Sequence, residues 1–169
     1  MQFNDLLNAI CEAIKTRLPE LKVCEIHGGR FTLDELKKIS TRAPAVYVAL
    51  LGTDAAAAAA TGQPEVPLKL AVFIVAKDEV GLSRTAGALN LVEVLLQMVK
   101  NDTWQQPGVL EARSITTKNF YNGDLHKSKI ALWGVSWVQP ILLGDAPWLD
   151  GNPVNVTIYA SRESKQVTS

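Results

Sequence analysis

The residues of this chain best equipped for chemistry are few and scattered. Asp78 and Glu79 follow an apolar run and stand at the C-terminal end of an expected strand, where active-site side chains are often found. Together with His126 they would suit a small enzyme if the fold brought all three into one deep cleft. An aspartate in that place more often caps the helix that follows, and no partner acid or base completes a mechanism. His27 and His126 both stand beside turns, where a solvent-facing or hydrogen-bonded histidine is the ordinary case. Cys11 and Cys24 are the only cysteines and form no C-x-x-C pair, and nothing completes a ligand set around them. They read as small buried hydrophobes.

No Walker loop, G-x-G-x-x-G, H-E-x-x-H, G-x-S-x-G or calcium loop occurs in the sequence. Gly28-Gly29 is a turn rather than a phosphate cradle, because no helix N-terminus follows directly. The expectation is a protein with no catalytic residue, no metal and no cofactor.

What remains is surface. The 17 basic and 17 acidic residues cancel, which argues against nucleic acid as the main partner, since phosphate binding needs concentrated Lys and Arg. A neutral chain still carries local charge. Arg84, Lys100, Lys118, Lys127 and Lys129 are candidate interface cations, placed to meet acidic neighbours and set register. Trp137 joins them as a candidate anchor, its alternative being core packing against the long helix.

The elements that must position these residues centre on Pro67–Lys100. In Pro67–Lys77 both faces of the expected strand are apolar in the middle, which predicts a central strand covered on two sides. Asp78 or Ser83 caps the next helix, whose only continuous polar stripe is Asn90, Glu93, Gln97 and Lys100. So narrow a wet face predicts a mostly buried helix, more apolar surface than one small domain hides, and hence an assembly.

The flanks follow in order. Asp5–Leu18 has the periodicity of an amphipathic helix, stopped by Pro19, and Leu21–Ile26 is a short strand. Thr32 and Glu35 form a capping box, each satisfying the other's backbone donor, at the start of a helix over Leu33–Ile39. Ala45–Gly52 is another two-sided strand. The six alanines Ala55–Ala60 form a mobile loop or one helical turn, or an inert linker. Val109–Tyr121 and Lys129–Leu143 form an antiparallel pair joined by a turn at Asn122-Gly123-Asp124. Trp133, Val135 and Trp137 share one face of the second strand, and Pro140 ends it or puts it on an edge. Val154–Tyr159 is a further strand candidate, before a frayed tail.

The fold class expected is α+β: two main helices packed on one face of a four- to five-stranded, mostly antiparallel sheet. Residues 1–144 form a single domain and 145–169 a C-terminal extension. No apolar run is long enough to span a bilayer, and the acidic N-terminus is no signal peptide.

Several stretches together resemble a known family. RAPAVYVALLG (Arg42–Gly52), LAVFIVAK (Leu70–Lys77) and NFYNGDLHKSKIALWGVSWVQPILLG (Asn119–Gly144), with LPEL beside the first helix, are similar to the Mu-like contractile-tail phage proteins taken to be tail terminators. The likeness runs from about Asp5 to Gly144 and leaves out the alanine run and the C-terminal extension. It implies helices on one side of a sheet and subunits in a homo-oligomeric ring, usually a hexamer. Such a ring caps the tail tube, stops its polymerisation and offers a surface to the head or neck. The implied partners are tail tube protein, with sheath and neck proteins beside it. The implied location is the virion tail, and the host cytoplasm during assembly. A head–tail connector or neck adaptor is the alternative within the same class.

Overall fold

The structure is a computed structural model that describes residues 2–144; Val154–Tyr159 and the rest of the C-terminal extension lie outside them. In chain order the elements are α1 (Phe3–Arg17), β1 (Val23–Ile26), α2 (Leu33–Ser40), β2 (Ala45–Thr53), β3 (Ala57–Ala58), β4 (Pro64–Ala76), α3 (Arg84–Val99), β5 (Arg113–Asn119), α4 (Gly123–Lys127) and β6 (Ala131–Leu142). They build an α+β fold on a mixed sheet in the order β1-β2-β4-β6-β5, with β3 paired to β4 beyond the end of β2.

β4 and β6 form the spine. They pair antiparallel from Glu65 opposite Leu142 to Ala76 opposite Ala131. β2 flanks β4 and β5 flanks β6, both antiparallel, while β1 adds parallel to β2. The two faces of β4 sort as the alternation predicts. Leu68, Leu70, Val72 and Ile74 join the core under α1 and α3. Ala71, Phe73 and Val75 pack in a second core, where Leu36 of α2 and Leu125 of α4 cover the sheet. Among the described residues the helices therefore number four and lie on both faces, and the sheet has six strands rather than four or five.

Pro140 stands inside β6, not at its end, directly opposite Pro67 of β4. The Pro67 carbonyl accepts the Asp54 N–H (2.9 Å) and the Pro140 carbonyl accepts the Leu110 N–H (2.9 Å), so the two point away from each other. A residue's N–H and C=O lie on the same side of a strand. The β4–β6 ladder therefore needs no donor from either proline at this pair.

The alanine run is extended rather than helical. Ala57 and Ala58 pair with Glu65 and Pro64, and the Ala59 N–H donates to the Gln63 carbonyl (2.9 Å). This makes a projecting hairpin with exposed alanines. The capping box is half formed. The Thr32 hydroxyl accepts the Glu35 N–H (3.1 Å), but the Glu35 carboxylate turns to His27 Nε2 (2.8 Å). Asn122 acts as a helix cap instead of a turn residue. Its side-chain oxygen accepts the Leu125 N–H (2.8 Å) and starts α4.

α3 is less buried than its composition suggests. Ala88, Leu91, Val92, Leu95 and Val99 face the core, while Leu89 stays 43 % exposed.

One polar group organises the α3-side core. Gln139 is fully buried, and its Oε1 accepts both indole N–H groups, Trp104 at 3.0 Å and Trp137 at 2.7 Å. Its Nε2 donates to the carbonyls of Asp102 (3.3 Å) and Leu110. All four hydrogen-bonding positions of the amide are used. The network fixes the chain between α3 and β5, where Trp104 and Gln105 both adopt left-handed backbone conformations (φ 58° and 55°).

Candidate functional site

Where β4 ends, the chain makes a tight turn before α3. Glu79 and Leu82 exchange backbone hydrogen bonds (2.8 and 3.0 Å), and Gly81 takes the positive φ of 79° that the turn requires. Val80, at the tip, is fully exposed. Ser83 caps α3 by accepting the Ala86 N–H (3.2 Å). Asp78 accepts the Arg84 N–H (2.8 Å) and binds its guanidinium Nη1 (2.9 Å), so both residues named as caps take a free backbone donor.

Arg84 also reaches across to α4. Its Nη2 lies 3.4 Å from His126 Nδ1. A guanidinium only donates, so this nitrogen accepts and the ring proton is assigned to Nε2. The Tyr121 ring packs 5.7 Å from the His126 ring and is itself 67 % exposed. Arg84, Asn119, Tyr121, His126 and Trp133 line a hollow of about 290 Å³.

The arrangement is an ionic clamp rather than an acid–base pair. The backbone N–H of Arg84, then the charges of Arg84 and Lys129, hold the Asp78 carboxyl below its ordinary range against slight burial. Glu79 lines a different hollow, of about 310 Å³, with Glu20, Lys22 and Leu82. Cys11 and Cys24 are free and buried, and the hydrogen bond with Cys11, then burial, push the Cys24 thiol's pKa up. Among the described residues, no group of three or more His, Cys, Asp or Glu could hold a metal ion, and no helix is long and apolar enough to cross a membrane.

The expected interface residues divide three ways. Arg84 lines this hollow, Lys127 ends α4, and Lys129 just beyond it is near enough for its charge to act on Asp78. Lys118 lies on exposed β5, its ammonium 5.0 Å above the Phe120 ring. Lys100 caps the far end of the 16-residue α3, about 24 Å from Arg84 along the helix. Trp137 is 2 % exposed and closes the core, so it offers no surface to a neighbour.

The topology gathers more cations at this same end than the sequence suggests. The last turn of α1 and its link to β1 bring Lys15, Arg17 and Lys22, against Glu12 and Glu20. The end of α2 and its link to β2 bring Lys37, Lys38 and Arg42. The β4–α3 turn brings Lys77 and Arg84 against Asp78 and Glu79, and α4 brings Lys127 and Lys129 against Asp124. Ten basic residues thus meet five acidic ones at the end of a chain whose charges cancel overall. Val80 and Tyr121 were not singled out by sequence reasoning. An apolar residue directly before Gly81 was the signal for the first, because a turn tip has no core to enter.

A family model described as Bacteriophage Mu, Gp37 matches residues 4–141. No curated protein matches the chain.

Proposed function

The chain belongs to the bacteriophage Mu Gp37 family, and from that premise we propose that it is a tail terminator: a structural protein that caps the finished tail tube, stops its polymerisation and offers a docking surface to the head or neck. The observation that carries this reading is the extent of the match, which runs from α1 to the last turn of the sheet in β6. The mechanism is steric. A ring of copies occupies the growing end and presents no site equivalent to the one a tube subunit would use. Such a ring needs two different patches on each copy, meeting head to tail and closing by rotation. The exposed edge strand β5 supplies surface of the required kind. The protein acts in the virion tail, after assembly in the host cytoplasm, and needs no cofactor.

The test is direct. Purified protein is added to polymerising tube subunits of its own phage, and tube lengths are measured by electron microscopy. Shorter tubes, each with an added ring at one end, are the expected result. An unchanged length distribution, with capture of head-side rings instead, would assign the protein to the neck as an adaptor.

A further inference from the structure

Of the seven large apolar side chains most exposed among the described residues, four stand at the sheet end where β4 finishes: Val80, Leu82, Leu89 and Tyr121. The excess of cations described above surrounds the same end. We propose that this end is a docking surface for a second protein whose own surface is acidic around an apolar centre, with the Val80 turn as the apolar anchor and the lysines around it as partners for its carboxylates. The proposal rests on the tail-end reading and names the face that meets the tube.

Three observations carry it. First, Val80 is at the tip of a turn, with no core to enter, and Leu82 continues the apolar surface onto Gly87 of α3. Clustered exposed apolar side chains mark protein contact sites. Second, the cations are available. Arg84 is tied to Asp78, whereas Lys22, Arg42, Lys77, Lys127 and Lys129 make no ion pair among the described residues. Their summed field favours an acidic partner and steers its approach. Third, the cations are interrupted by Asp78, Glu79 and Asp124 and surround an apolar centre. That mixture suits a protein surface with charges at fixed positions, not the unbroken negative charge of a nucleic-acid backbone.

The experiment uses the full chain with tube protein, and two variants at exposed positions: Val80→Asp, and Lys127→Glu with Lys129→Glu. Glu111→Lys, at the opposite end of the sheet, is the control. Each variant is checked for an unchanged melting temperature. The expected result is that both test variants need about tenfold more protein than wild type to shorten tubes, while the control matches wild type. Added salt is expected to weaken wild-type capping as well. Test variants that cap as well as wild type overturn the proposal and leave the tail-end reading standing. A wild-type protein without effect on tubes removes that reading, and this proposal with it. Two further outcomes also overturn it. One is a change in self-association, seen by sedimentation without tube protein, which makes the surface a contact between copies. The other is wild-type binding to a 20-base-pair DNA duplex that the double reversal abolishes while capping is unchanged.

Discussion

Single side chains decide how rigid this molecule is. Gln139 accepts from two tryptophans and donates to two carbonyls inside the core. Replacing it with leucine strands all four partners, and each buried group left without a partner costs about 1–3 kcal/mol. Gln139→Leu is therefore expected to destabilise the fold by at least that much, read from urea unfolding. A loss below about 0.5 kcal/mol would show that the network contributes little. Trp137→Ala is expected to cost about 3–5 kcal/mol, because the indole is 2 % exposed and its removal leaves a cavity. Asp78 acts differently, through charge. Its carboxyl is held below the ordinary range in the folded state, so its stabilising contribution is complete above the unfolded value, about 3.9, and fades as pH falls through the folded value. Wild type is expected to melt above Asp78→Asn near neutrality, with the gap closing below about pH 4. A gap that stays constant into acid would mean the charge plays no part.

At the scale of elements, two short segments illustrate how context overrides local propensity. The dipeptide Asn122-Gly123 commonly makes a hairpin turn, yet here Asn122 caps α4 because Leu125 has an apolar site to fill over the sheet. Asn122→Ala is expected to cost about 0.5–2 kcal/mol, as loss of a helix cap does. The same change should lower the helical protection of Leu125 and His126 in hydrogen exchange; unaltered stability would show that the turn holds without its cap. The alanine run favours helix in isolation but is drawn into a hairpin by backbone pairing with Pro64 and Glu65. Its strand is only two residues long, and its side chains are exposed.

At the scale of the whole molecule, protection should grade inward from the edges. The central β4 and β6 amides are expected to exchange slowest, since each strand is paired on both sides and buried. Those of Ala57–Gly62 and of exposed β5 are expected to exchange fastest. Fast exchange in β4 alongside slow exchange in the hairpin would contradict this sheet order. The molecule is also electrically polar. Three separate helix ends and the β4–α3 turn deliver their lysines and arginines to one end of the sheet, and the chain's overall neutrality conceals this. Affinity for an acidic surface depends on that local field rather than on net charge.

Periodicity in the sequence was enough to locate the central strand, the two main helices and β6, because burial on two faces leaves a continuous apolar run and a helix leaves a 3.6-residue pattern. The caps at Thr32 and Ser83 were legible for a similar reason: each serves a backbone donor three residues away. The side chains that answer to distant partners were not legible. Glu35 left its capping box for His27, Pro140 was tolerated inside β6 because its donor position faces away from β4, and Trp137 became core because Gln139 and Trp104 close around it. The candidate surface divides in the same way. Arg84, Lys127 and Lys129 could be named from type alone, but the place of Arg84 beside Tyr121 and His126 is a product of strand order, and strand order is set by long-range pairing that no local pattern encodes.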